Sequence, residues 1–201
     1  MADLLELFKT DTPLLQTRGS LIIRQLSVLL DAEKVYRALA AILEGEKNVE
    51  FASSMIQTLN IIALTAQELT ALRKLLRCTL TSADGGNIFT ALYKSWCHSP
   101  VSTLSLCLYA GAYEHAASLV PIFATLQVTV PMLVQIDKLV QLLESPVFTH
   151  LRLQLLEPAR FPFLHKSLYG LLMLLPQSSA FNTLRTRLKR CESLLLCSPR
   201  R

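Results

Sequence analysis

A tryptophan, a cysteine and a histidine stand side by side at Trp96-Cys97-His98, followed by Ser99-Pro100. A thiol beside an imidazole is the material of a nucleophile and its base, and cysteine with histidine is also zinc-ligand chemistry. A working nucleophile needs its base within about 3 Å and a positive or helix-N-terminal surrounding that lowers the thiol pKa. The pattern instead sets Cys97 at the end of a helix, where the dipole opposes a thiolate, and consecutive helical residues point about 100° apart. Zinc is served no better, because the cysteines at 78, 97, 107, 191 and 197 form no CxxC pair.

A corner between two helices accounts for more of this stretch. Ser99 caps the helix that Pro100 opens, and His98 lies in the last turn of the helix before it. Tyr93 and Trp96, three apart on one face, are expected to pack together. The Trp96 ring is then a wedge between layers, or alternatively an anchor for a partner. The carboxylate pairs Asp31/Glu33 and Glu44/Glu46 sit at helix ends, the usual solvated positions, without the apolar enclosure of a general acid. No GxGxxG, Walker loop, HExxH or GxSxG is present. Catalytic, cofactor and metal residues are therefore expected to be none.

The elements around these residues read as helices. Start signals recur at Thr12-Pro13, Asp31, Thr65 with Glu68, Asn87, Ser99-Pro100, Thr129, Ser145-Pro146 and Ser178 or Ser179. Gly45, Gly85, Gly86, Pro158 and Pro176 punctuate or close the segments. Apolar stripes at helical spacing run through Ile22, Leu26 and Leu29, through Val101, Leu104 and Leu108, and through Leu133, Ile136, Val140 and Leu143. Twelve segments result, about 2–10, 13–30, 32–44, 49–64, 66–79, 87–98, 100–110, 113–126, 131–144, 146–156, 161–175 and 179–195, fewer if short ones fuse. No run alternates for strand length. The fold class is all-α, either a HEAT/armadillo-like alpha-solenoid or a helical-repeat bundle, as one domain over residues 1–198 with a basic tail at 199–201. No tight internal repeat shows by inspection, although degenerate two-helix repeats can lie below it.

With 51% hydrophobic and 17% charged residues in 201, and a mean hydropathy of +0.38, the chain can bury a core and still has apolar surface to place against another protein. The longest apolar run, 168–175, is too short to cross a bilayer. Asp3, Glu6 and Lys9 argue against a secretory signal, and the scattered cysteines point to a reducing compartment. The net charge of +5 is concentrated after Ser145. Arg185, Arg187, Lys189 and Arg190 form a candidate basic docking face on the helix striped by Leu184, Leu188, Cys191 and Leu195. Without interleaved aromatics this face gives no expectation of nucleic acid, whereas an acidic lipid surface stays open. The candidate partner interface lies between 131 and 156: Lys138, Leu139, Gln141, Phe148 and Arg152, with Trp96 from the corner. Leu139 is placed beside the core stripe rather than in it.

Several longer runs carry a resemblance. They are Leu21-Ile22-Ile23-Arg24-Gln25-Leu26, Phe51 to Asn60, Tyr93 to Pro100, Ile136 to Pro146 and Leu168 to Phe181. In this order they resemble the C-terminal region of the Vac-type scaffold family (ArPIKfyve, the associated regulator of PIKfyve), over about residues 4 to 190. The resemblance implies a non-catalytic HEAT-type scaffold that self-associates and holds a PIKfyve-type lipid kinase together with a Sac-domain phosphoinositide phosphatase. It would thereby regulate phosphatidylinositol 3,5-bisphosphate on the cytoplasmic face of endosomal, lysosomal or vacuolar membranes. It also implies a C-terminal part of a longer protein and carries over no catalytic residue. The competing readings are an enzyme using Cys97 or a distant carboxylate pair, and a generic helical adaptor on acidic membranes. An enclosed polar pocket would favour the enzyme, extended apolar faces the scaffold.

Overall fold

A computed structural model describes the backbone of residues 1–196 and the side chains of residues 1–191. The expected basic tail at 199–201, and the Leu195 side chain of the last stripe, lie outside the described residues. Among the described residues there is no strand, and the fold is all-helical and solenoid-like. The helices cluster into two compact units, one over residues 1–106 and one from Cys107 onward, where the sequence reading expects a single domain.

The first unit holds α1 (Ala2–Thr10), α2 (Thr12–Leu14), a π-type widened turn (Leu15–Gly19), α3 (Ser20–Leu30), α4 (Ala32–Glu44), α5 (Val49–Thr65), a 3-10 turn (Gln67–Leu69), α6 (Thr70–Arg77) and α7 (Ala83–Trp96). Helix α8 (Pro100–Ala110) begins in this unit and is buried at every residue from Val101 to Ala110. The second unit holds α9 (Tyr113–Thr125), α10 (Val130–Glu144), a 3-10 turn (Pro146–Phe148), α11 (Thr149–Gln154), α12 (Pro162–Leu174) and α13 (Ser179–Leu196).

Local chemistry explains most of the boundaries. Asp31, Asn48 and Thr129 each accept a backbone N–H of the helix they open, and Ser178 accepts from Phe181. Asp31 does so at φ 77, a left-handed conformation that few side-chain-bearing residues adopt. Three start signals are corrected. Asp11 rather than Thr12 caps α2, through the Leu14 N–H. Thr65 ends α5 instead of opening a helix, with its hydroxyl turned back to the Ile61 carbonyl. Helix α7 begins at Ala83, four residues before Asn87, so Gly85 and Gly86 lie inside its first turns. The reason for Gly85 is contact: a Cβ there would stand 2.7 Å from the Leu75 carbonyl oxygen.

In α3 the buried positions are Ile23 and Ser27, while Leu29 is 76% exposed, so the true stripe runs one residue out of phase with the expected one. Within the first unit α4 packs on α7, and within the second α9 packs on α12. A Cβ at Gly170 of α12 would meet Val120 Cγ1 of α9 at 2.4 Å, which is how closely those two helices approach.

The two units repeat one another. Ile56, Leu59, Asn60 and Ala63 are buried on α5, and Ile136, Leu139, Val140 and Leu143 are buried on α10 at the same spacing. Leu69, Leu72 and Leu76 are matched by Phe148, Leu151 and Leu155, and Gly85, Ile88, Leu92 and Trp96 by Leu164, Ser167, Leu171 and Leu175. An arginine clamp recurs as well. Arg73 donates to the Ala63 carbonyl at 3.1 Å, to the Ala66 carbonyl, and to Thr70 Oγ1 at 3.1 Å. Arg152 donates to the Leu143 carbonyl at 2.6 Å, to the Ser145 carbonyl, and to Thr149 Oγ1 at 3.2 Å. Each guanidinium satisfies the carbonyls that the end of a long helix leaves without partners. The degenerate repeat hidden in the sequence is thus present once in each unit, as a set of helices with the same buried spacing and the same arginine clamp.

Among the described residues no single helix is long and apolar enough to cross a membrane.

Candidate interaction surface

The Trp96 corner is a structural joint. Trp96 is fully buried, its ring centroid 6.5 Å from that of Tyr36, and its Nε1 donates to Asn60 Oδ1 at 3.2 Å. Asn60 Nδ2 in turn donates to Ser105 Oγ at 3.3 Å on α8. Ser99 is buried and pairs with Ser102, while Thr103 Oγ1 donates to the Trp96 carbonyl at 2.7 Å, which closes the turn from α7 to α8. The Tyr93 ring lies tilted against that of Phe89, with centroids 5.7 Å apart. Cys97, at the C-terminal end of α7, is exposed, and its thiol is directed to the Tyr93 carbonyl at 3.3 Å. Among the described residues no group of three or more histidine, cysteine, aspartate or glutamate side chains is arranged to hold a metal ion.

Three proposed interface residues face inward. Trp96 and Phe148 have no exposed surface, and Leu139 keeps 2%. Leu139 belongs to the core because α10 turns Ile136, Leu139, Val140 and Leu143 inward together, leaving Leu133 at the margin. Phe148 packs edge-on to Tyr109 at 5.5 Å, beneath His150. Arg152 is half-buried in its clamp, so its charge closes the end of α10. Lys138 and Gln141 are exposed on α10, and Gln141 Nε2 donates to Asp137 Oδ2 at 2.7 Å.

The basic helix α13 divides similarly. Arg187 is drawn into a two-pronged ion pair with Glu144 of α10, Nε to Oε1 at 3.0 Å with Nη2 to Oε2 beside it. That hydrogen bond raises the guanidinium pKa above its ordinary value. Burial pushes the Cys191 thiol up, away from thiolate chemistry. Arg185, Lys189 and Arg190 are exposed, with the Arg185 guanidinium 5.9 Å above the Phe181 ring.

The surface that the interface residues do not mark lies at the start of α10. Val130, Leu133, Val134, Leu175, Pro176 and Asp137 line an open groove of about 210 Å³ between that helix and the link from α12 to α13. Val130 is 74% exposed and Val134 48%, and Leu126 and Val128 are exposed just ahead of them. Sequence periodicity missed this face because it names the residues of one stripe and leaves the other apolar positions unassigned. The available signal was a surplus, since α10 has more apolar residues than one buried stripe uses.

The described residues form an all-helical tandem-repeat module with an exposed apolar groove, the kind of surface on which helical-repeat proteins bind others. Residues 12–191 match the family described as vacuolar protein 14 C-terminal Fig4p binding, and the chain belongs to that family. It is similar to the protein VAC14 homolog of Arabidopsis thaliana, with 57% identity over 90% of this chain and 25% of the relative. It is also similar to the VAC14 homolog of Schizosaccharomyces pombe, with 53% identity over 96% of this chain and 23% of the relative. The vacuole morphology and inheritance protein 14 of Saccharomyces cerevisiae is 46% identical over 94% of this chain and 21% of its own length. The chain thus spans about a quarter or less of the curated relatives it matches. No solved structure matches it.

Proposed function

We propose that this chain is the assembling part of a non-catalytic scaffold, which self-associates and holds a Sac-domain phosphoinositide phosphatase together with a PIKfyve-type lipid kinase. The observation that carries the reading is the family match over residues 12–191, whose description names binding of Fig4p. The exposed apolar face at the start of α10 agrees with it, because such surface on a folded chain is placed where another protein covers it. In this role the chain would act peripherally at endosomal, lysosomal or vacuolar membranes, through the enzymes it gathers, and so regulate phosphatidylinositol 3,5-bisphosphate. Lys138, Gln141 and the exposed Arg185, Lys189 and Arg190 supply polar and charged rim contacts, which guide docking more than they strengthen it.

The test is to mix the purified chain with the purified phosphatase and kinase, separately and together, and measure complex mass by light scattering. Assembly with the phosphatase, and no turnover of phosphoinositides by the chain alone, is expected. A chain that binds neither enzyme and stays monomeric at high micromolar concentration would overturn the scaffold.

A further inference from the structure

The repeated units contain an internal comparison. The buried sets Ile56, Leu59, Asn60 and Ala63 of α5 and Ile136, Leu139, Val140 and Leu143 of α10 fix the register, in which Val130, Leu133, Val134 and Asp137 of α10 correspond to Glu50, Ser53, Ser54 and Gln57 of α5. The environment is the same at each pair: exposed at Glu50 and Val130, half-buried at Ser53 and Leu133, exposed at Ser54 and Val134, half-buried at Gln57 and Asp137. One helix fills this face with polar residues and the other with valine and leucine. A helix with these exposures thus carries polar residues on this face in the first unit, and α10 departs from it with an apolar set. Exposed valines and a half-buried leucine beside a groove of about 210 Å³ have the form of a seat for one side chain of another protein.

Chemistry narrows the occupant. The groove's lining contains one charged residue, Asp137, and no lysine or arginine, the reverse of what an acidic lipid surface selects. An apolar side chain with a basic neighbour within a helical turn fits both the groove and Asp137. The groove also lies inside residues 12–191, the stretch matched by the family described as Fig4p binding.

We propose that the groove formed by Val130, Leu133, Val134, Leu175 and Pro176 seats an apolar side chain from a helical segment of the Sac-domain phosphatase, with a basic residue of that segment facing Asp137. This rests on the phosphatase assembly described under Proposed function. It adds that the second unit, and not its twin face on α5, is the one that binds.

The test copies one face onto the other. The full chain carrying Val130→Glu, Leu133→Ser and Val134→Ser, and separately the single changes Val134→Glu and Asp137→Lys, are titrated against the purified phosphatase beside the wild type. Circular dichroism and thermal melting serve as folding controls, and light scattering follows self-association. The triple variant is expected to keep its helical spectrum, since α5 tolerates the same residues, and to bind about tenfold or more weakly. Val134→Glu, at an exposed position, gives the same direction even if the triple variant loses stability. Asp137→Lys is expected to weaken binding and to reduce its salt dependence. Unchanged affinity in the triple variant and in Val134→Glu overturns the groove while leaving phosphatase assembly standing. Loss of self-association with phosphatase binding intact assigns the groove to a second copy of the chain and also overturns the proposal. A wild type that fails to bind the phosphatase overturns the underlying reading and the groove assignment with it.

Discussion

Nε1 of Trp96 donates to Oδ1 of Asn60 at 3.2 Å, and both side chains are buried. This bond makes the largest core side chain of the first unit directional, because an indole has one donor and Asn60 also reaches Ser105 with its Nδ2. Trp96→Phe keeps most of the apolar volume and leaves the Asn60 oxygen without its donor. It should cost about 1 to 3 kcal/mol from the unpaired acceptor, with a further loss from the smaller ring. Adding Asn60→Leu to Trp96→Phe should recover part of that. Urea denaturation of the two singles and the double checks it, and additive losses would exclude the coupling.

Neighbouring glycines in α7 should respond in opposite directions. A Cβ at Gly86 meets the Thr79 carbonyl oxygen at 3.6 Å, ordinary contact, so Gly86→Ala is expected to stabilise by about 0.5 to 1 kcal/mol through helix propensity. A Cβ at Gly85 meets backbone atoms of Leu75 and Cys78 at 2.7 to 2.8 Å, so Gly85→Ala forces α6 and α7 apart. A loss of about 1 to 3 kcal/mol should outweigh the propensity gain. Melting temperatures of the two variants measure the split.

The crossing of α9 and α12 makes a different demand. Gly170→Ala places a methyl 2.4 Å from Val120 Cγ1, a side-chain atom that can be removed. Gly170→Ala should destabilise, and pairing it with Val120→Ala should give a double variant more stable than the sum of the singles, by about 0.5 to 3 kcal/mol. A denaturant titration of the four-member cycle gives the coupling, and a value near zero would place the contact elsewhere.

Acid sensitivity should be traceable to Glu46. Its carboxylate accepts the Asn48 backbone N–H at 2.8 Å and the Lys9 ammonium at 3.0 Å. Those bonds, the Asn48 one foremost, hold its pKa below the ordinary carboxylate value. The folded state thus binds this proton less readily than the unfolded state does. The resulting stability is present above the unfolded pKa and lost as pH falls through the lowered folded one. Glu46→Gln should therefore lower the melting temperature at neutral pH, with the gap to wild type closing as the solution is acidified. A gap that stays constant with pH would deny Glu46 this role.

The sequence carried the fold class, because capping residues and apolar spacing are local signals. The helix start at Pro100 and the Thr129 cap could be read without any tertiary information. The errors arose where a distant neighbour decided the outcome. Gly85 and Gly86 suggested a break, but the Leu75 and Cys78 carbonyls make Gly85 a packing requirement inside a helix. Leu139 looked peripheral because a stripe drawn through Leu133 displaced it, although burial on α10 begins only at Ile136. Arg152 resembled a surface cation because no local rule places a guanidinium at the end of the preceding helix. The groove was least visible of all, since it becomes evident only when α10 is compared with its counterpart α5.

The side-chain bonds that join separate helices within each unit span short distances along the chain: 36 residues from Asn60 to Trp96, 41 from Tyr109 to His150, 43 from Glu144 to Arg187 and 45 from Asn60 to Ser105. Contacts this close in sequence require only small loops to close, and low contact order accompanies fast folding. A ribosome that has released the first unit has released all the partners needed for its internal bonds. Trp96 can therefore be covered before α10 is synthesised, and the newborn chain need not leave its most apolar side chains waiting in water for a distant terminus.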